Sequence, residues 1–367
     1  MATFIDIRHF LSYILLMAPV LVFSSCKKPK MQESYDFTPL EEMIEVWMER
    51  NYYPGGSIAV ADGNGTLYEK YFGKYSSDDD VAVAFAGIWV AAATVGAAVE
   101  NSGLAWDDCV EKWIPEFCGD SKGKITLRQL MSHTSGVRPC PEASETDIHH
   151  SLDSAVMKIL AMEPVFRTGS RFQYGGLGMQ IAERMVEKAT GMDFDEFFLK
   201  QIAAPLDMSH SAFTPVGPEP GSSPMPGGGF RTSLHDYMHF LDMIFHDGVY
   251  CGKRILSEST VREMEADQIR GAAVEKGEYV ERGLGLEHKG IYGLGVWREI
   301  LDEDGEAVQL GSPGWAGAYP WINRKDGVYG FFLTHVEGNS AAHDDFSPFY
   351  NAPKISGIVS KIVNHTI

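Results

Sequence analysis

Between Val81 and Val99 the chain runs for nineteen residues without a charged side chain. A helix of that length and character either crosses a bilayer or lies at the centre of a large soluble core. Eight of the nineteen residues are Ala and two are Gly, so the run lacks the Leu, Ile and Phe density that drives insertion into lipid. The run therefore predicts a buried central helix from Phe85 to Val99, with Phe85 and Ile88 filling the space at its start. Enough chain is present to wrap it, since 367 residues amount to about two domains of ordinary size. A composition of 44% apolar and 22% charged residues matches a folded, water-soluble protein. Acidic side chains outnumber basic ones, 50 to 31, and the net charge of -19 argues against a nucleic-acid partner, which needs a cationic surface.

Strand signals cluster at the two ends of the chain. Ser57 to Ala61 and Thr66 to Phe72 are β-prone runs joined by Asp62-Gly63-Asn64-Gly65, strong hairpin chemistry. Near the other end, Tyr319 to Asn323 and Val328 to Val336 flank Arg324-Lys325-Asp326-Gly327. Helices are expected outside them: one opened by a capping box at Thr38-Pro39-Leu40-Glu41, and a C-terminal one with Ile355, Ile358, Val359, Ile362 and Val363 on one face. Met179 to Thr190, Phe194 to Ile202 and Ser233 to Phe245 read as helices of the middle. The pattern predicts an α/β part built from both chain ends, about 37–80 and 285–367, with an all-α part inserted at about 105–280.

The first residues read as an address. Arg8 and His9 precede an apolar stretch, Phe10 to Phe23, of secretory length, and Ser24-Ser25-Cys26 ends it. Two small residues before a cysteine resemble a bacterial lipoprotein cleavage site, which implies a signal peptide over 1–25, a lipidated Cys26, a tether over 26–36 and a folded region over 37–367. The expected location is the cell envelope, periplasmic or at the cell surface, with the membrane as partner through Cys26. Export permits disulfides, and Cys109, Cys118, Cys140 and Cys251 allow three pairings among which the sequence does not choose.

An ordered set of short strings carries a resemblance to a known family. It runs from Gly55-Gly56-Ser57-Ile58-Ala59-Val60 through Trp113-Ile114-Pro115-Glu116-Phe117 to Ile125-Thr126-Leu127-Arg128-Gln129-Leu130-Met131-Ser132-His133-Thr134-Ser135-Gly136. Pro205-Leu206-Asp207-Met208 and Tyr292-Gly293-Leu294-Gly295 follow in order. Nearly the whole chain after the address thus resembles the serine β-lactamase and penicillin-binding-protein superfamily, in the branch of class C β-lactamases, D,D-peptidases and esterases. The resemblance implies a β-lactamase/transpeptidase-like fold: an antiparallel sheet from both chain ends, flanked by helices, with an inserted helical domain.

The family's chemistry lies in three motifs, and each is altered here. In S-x-x-K a serine opens a helix and a lysine one turn on takes its proton. The matching positions are Phe85 and Ile88, and a helix one turn shorter would give Trp89 and Ala92. Ser121-Lys122-Gly123-Lys124 has the right spelling but reads as a solvated loop. In Y-x-N the tyrosine survives as Tyr174, while Gly176 replaces the asparagine. In K-T-G or H-x-G, expected on the strand lining the cleft, Ser312 replaces the basic residue and Gly314 remains.

His235 and His239 stand at a zinc-capable spacing, but Asp236 between them is explained as the third-position acid of a capping box opened by Ser233, so no metal is assigned. No cofactor is assigned either. Trp315, Tyr319 and Trp321 alternate as core aromatics do. Tyr174 is then the sole surviving catalytic candidate. The residues favour an inactive member that binds a small molecule, a peptidoglycan-derived ligand or a partner. The competing reading is an active serine hydrolase rebuilt around Ser312 or Ser135. For the anchor, Cys26→Ala should move the protein from the membrane fraction to the soluble one or leave it unprocessed, as read by fractionation and N-terminal mass; no change in either would refute lipidation at Cys26.

Overall fold

The computed structural model describes residues 35–140, 151–215, 225–337 and 344–366. The signal, Cys26 and most of the tether lie outside the described residues. Six strands form one antiparallel sheet: β1 (Gly56–Asp62), β2 (Gly65–Phe72), β3 (Trp297–Leu301), β4 (Ala307–Gly311), β5 (Tyr319–Asn323) and β6 (Val328–Leu333). Their order across the sheet is β2-β1-β6-β5-β4-β3, so the chain ends meet where Ile58 on β1 pairs with Phe332 on β6. The first hairpin turns as its residues dictate, with the Asp62 carboxylate accepting the backbone N–H groups of Asn64 and Gly65 at 2.7 and 3.0 Å.

Period-two alternation divides the strands between two cores. Ile58, Val60, Trp321, Val328 and Phe332 face α1 (Thr38–Glu49) and, at the C-terminus, Ile355, Val359 and Ile362. Ala59, Ala61, Ile322, Tyr329, Phe331 and Leu333 face the helical part of the molecule. Gly330 is required between two aromatic neighbours: a Cβ there would lie 2.4 Å from the Trp321 ring. Tyr319 and Trp321 are core residues, as the alternation predicts, whereas Trp315 is 48% exposed.

The uncharged run is the centre of the second core. It forms α2 (Ile88–Asn101), in which every residue from Ile88 to Ala98 is buried. Burying the Ile88 side chain alone is worth about 1.5–3 kcal/mol. The one hydroxyl on this stretch, Thr94, is satisfied within the helix by donating to the Val90 carbonyl at 2.9 Å. The helix starts later than expected: Ala84–Gly87 is a tight 3-10 turn, and Phe85, which sits in it, is partly buried, not enclosed. Around α2 pack α3 (Leu177–Thr190), the segment Phe194–Ala203, and α4 (Leu234–Phe245) beyond it. The inserted region is not purely helical, because Ala212–Phe213 and Phe230–Ser233 pair with Asp80–Ala82 in a small second sheet.

Three local expectations are corrected. Thr38 is not the cap of α1; Asp36 accepts the Thr38 N–H at 3.0 Å, placing the capping oxygen two residues earlier. Ser233 caps α4, but Asp236 does not reach back to close a box, because its carboxylate accepts from His210 N–H and the Ser211 hydroxyl at 2.7 and 2.8 Å. Ser121–Lys124 is a 3-10 turn capped by Asp120, and Lys122 is buried against the Asp120 carboxylate. Arg128, in the family-like string, binds Asp107 at 2.7 Å, Gln268 at 2.8 Å and Glu263, and its guanidinium holds the Asp107 carboxyl below its ordinary range. Cys109, Cys118 and Cys140 are free thiols.

On α3, Gln180 and Glu183 stand one turn apart and are enclosed. Both polar atoms of Gln180 and one carboxylate oxygen of Glu183 lack partners among the described residues. Burial, reinforced by the charge of Glu187, pushes Glu183 well above its usual carboxyl range. The folded protein thus holds a proton that the unfolded chain releases near pH 4.5, so stability from this group is present below that pH and falls as pH rises toward the folded value. Urea unfolding at stepped pH should show Glu183→Gln flattening that decline, with about 1.4 kcal/mol recovered per pH unit across the affected window; an unchanged slope would refute a buried, protonated Glu183.

Candidate functional site

Three segments meet beside the start of α2. The 3-10 turn Ala84–Gly87 carries Phe85, the segment before α3 carries Tyr174 and Gly176, and the turn after β4 carries Ser312 and Gly314. Gly314 is what lets them close: a Cβ there would stand 2.3 Å from the Val83 carbonyl oxygen. Its N–H donates to the Ala318 carbonyl at 2.8 Å, and Ser312 N–H donates to the Pro320 carbonyl at 3.1 Å. Ser312 and Pro313 therefore lie just past the end of β4 in a hairpin turn, and not within the strand as expected.

The side chains that converge are mostly aromatic. Phe85 meets Tyr174 edge-on, with ring centroids 5.3 Å apart. Tyr174 is also ringed by His133 at 4.8 Å, Trp297 at 4.9 Å and Tyr292 at 5.7 Å. Ile88 is fully buried as the first residue of α2, and Gly176, buried at the N-cap of α3, donates its N–H to the Pro139 carbonyl at 2.8 Å. The convergence of Phe85, Tyr174, Ser312 and Gly314 is what the motif spacing anticipates. The shell of His133, Tyr292, Trp297 and Phe349 is not anticipated, because those residues come from three distant segments with no shared period.

The serines named as rebuilt nucleophiles are occupied. The Ser312 hydroxyl donates to the Phe85 carbonyl at 3.3 Å, and Ser135 Oγ accepts the Val137 N–H at 3.1 Å. No lysine, arginine or histidine side chain is hydrogen-bonded to either one among the described residues. Tyr174 is no readier. Its hydroxyl is sequestered and has no hydrogen-bond partner among the described residues. Burial pushes this phenol well above its ordinary value, and the nearby polar atoms of Trp297 and Tyr292 offset only part of the effect. His133 is buried with its Nε2 3.2 Å from the Tyr292 hydroxyl, and burial pushes its pKa down to about 3, against a smaller opposing effect of the Gly175 carbonyl. At neutral pH the cluster is uncharged.

The backbone here is strained. Ala84, immediately before Phe85, has φ +49°, and His133 has φ +56°. Each such non-glycine residue costs on the order of 1 kcal/mol or more and persists where its surroundings over-determine it. Elsewhere, His235 and His239 diverge: His235 stands 3.2 Å from the Glu69 carboxylate, while His239 packs on Tyr250.

A family model described as Beta-lactamase matches residues 40–347. A Bacteroides dorei protein crystallised as a "putative beta-lactamase" is 56% identical, covers 90% of this chain and 100% of its own, and superposes with a TM-score of 0.86. Esterase EstB of Burkholderia gladioli is 24% identical over 63% of this chain and 68% of its own length. The octameric penicillin-binding protein homologue from Pyrococcus abyssi shares the fold, with a TM-score of 0.69 at 20% identity over 90% of this chain and 79% of that one.

Since the Tyr174 hydroxyl is buried without a partner among the described residues, its removal should not destabilise. Tyr174→Phe should leave stability unchanged or raise it by about 1–3 kcal/mol in urea unfolding. A loss exceeding 1 kcal/mol (about fivefold in the folding equilibrium) would mean that the hydroxyl has a partner.

Proposed function

The chain belongs to the beta-lactamase family, and from that premise we propose that it is a catalytically silent member that binds a ligand without hydrolysing it, held at the cell envelope by lipid on Cys26. The observation that carries this reading is the uncharged aromatic cluster at the meeting of the three motif segments. Where the family's mechanism needs a hydroxyl beside an amine, Phe85 faces Tyr174 and Ile88 is enclosed in the core. Ser312 offers no cation for a substrate carboxylate and spends its hydroxyl on a backbone carbonyl. Removing the serine nucleophile from a protease costs about a million-fold in turnover, roughly 8 kcal/mol of barrier, and here the proton acceptor is lost with it.

The names of relatives, an esterase and a β-lactamase among them, keep hydrolysis as the competing reading. It requires a nucleophile that the described residues do not pair with a base. Intact-protein mass spectrometry after exposure to a reactive penicillin and to a fluorophosphonate should find the mass unchanged, and hydrolysis of β-lactam, D-Ala-D-Ala and short ester substrates should stay at background. A stoichiometric adduct on any serine, lost in Ser312→Ala or Ser135→Ala, would overturn the silent reading and identify the nucleophile.

A further inference from the structure

Trp315 directly follows the third-motif glycine and is the one exposed tryptophan among the described residues, at 48%. It is held rigidly. The Gly317 N–H donates to the Gly314 carbonyl at 2.9 Å and the Val336 N–H to the Ala316 carbonyl at 2.8 Å, fixing the turn on both sides of it. One face of the indole lies flat on Phe349, with centroids 4.3 Å apart and planes 7° from parallel. Phe349 in turn is buried and reaches the site cluster, 6.3 Å from Tyr174. The exposed indole is therefore the outer end of an aromatic stack rooted in the cluster around Tyr174.

One ring removed from it stands a cation. Tyr350 meets Trp315 edge-on at 6.0 Å, and the Arg282 guanidinium lies 3.8 Å from the centre of the Tyr350 ring. Arg282 is exposed, and no ion pair engages it among the described residues. No carboxylate is paired with that guanidinium among the described residues, so on a chain with a net charge of -19 it remains a cation available to an anionic group. The free face of an indole carries the negative side of its quadrupole, which attracts the polarised C–H face of a pyranose ring. Pre-ordering by Phe349 means little side-chain freedom is lost on binding.

We propose that Trp315 and Arg282 form a binding subsite for a carboxylate-bearing pyranose, the sugar ring stacking on Trp315 and the carboxylate pairing with Arg282. The proposal rests on the reading of the protein as an envelope binder and gives its ligand a chemical class. It is tested on the folded, soluble protein by indole fluorescence and calorimetry with N-acetylmuramic acid, glucuronic acid, N-acetylglucosamine and benzoate as probes. Both acidic sugars should bind saturably, more tightly than the neutral sugar and than benzoate. Trp315→Ala should weaken binding about tenfold or more, while Arg282→Gln should abolish the preference for the acidic over the neutral sugar. Added salt should erode the same preference. Preference for N-acetylmuramic acid over glucuronic acid would identify a cell-wall source, and equal binding a general acidic glycan. No saturable binding of either acidic sugar, tighter binding of benzoate, or wild-type affinity in Trp315→Ala would overturn the subsite. None of those results would create a covalent adduct, so the subsite can fail while the silent reading stands.

Discussion

An α-helix that is apolar on every side and packed within a folded chain must be covered all round by protein, and α2 makes that demand of the whole chain. From Ile88 to Ala98 it exposes nothing, so it must be covered all round. The abundance of alanine lets neighbours come close, and Gly295 shows how close: a Cβ there would stand 2.4 Å from that of Ala92. The sheet supplies one wall and can do so only because β1, β5 and β6 are apolar on both faces, sending alternate residues toward the α2 core and toward α1. Two chain ends far apart in sequence are joined by that requirement.

The same demand bears on chemistry. An amine at the first residue of α2 would sit where Ile88 is fully enclosed, and desolvation of a charge there would cost several kcal/mol unless a partner offset it. A working serine hydrolase makes use of such desolvation to keep its base neutral. With isoleucine in place, no charge has to be accommodated, and the surrounding shell of Phe85, Tyr174, Tyr292 and Trp297 packs as core. The leftover polarity is visible as buried hydroxyl and indole N–H groups of Tyr174 and Trp297 that lack partners among the described residues. Such groups are tolerated at a cost of about 1–3 kcal/mol each.

What was legible in the sequence was whatever one short-range pattern dictates. The Asp62 to Gly65 turn, the two-faced strands and the charge-free run each announce themselves within a dozen residues, and together they give the sheet, its helices and the central helix. Tyr174, Phe85, Ser312 and Gly314 were legible as a set only through family spacing, since nothing periodic links residues so far apart. Their surroundings were not legible: His133, Tyr292, Trp297 and Phe349 reach Tyr174 through tertiary folding alone. Caps were misread where a side chain had a better partner, as with Asp236, whose carboxylate serves His210 and Ser211 instead of its own helix end.

Backbone geometry at the site is held for a mechanical reason. Ala84, immediately before Phe85, is held at φ +49°. Two neighbours enforce the conformation: Gly314, whose missing side chain lets its turn press on the Val83 carbonyl, and Gly87, where a Cβ would stand 2.2 Å from that of Phe230. Relaxing Ala84 would push one of those contacts apart and open the core over α2, a larger cost than the strain relieved. The side chain at position 85 can therefore vary while the turn that presents it remains, because the turn is part of what covers the central helix.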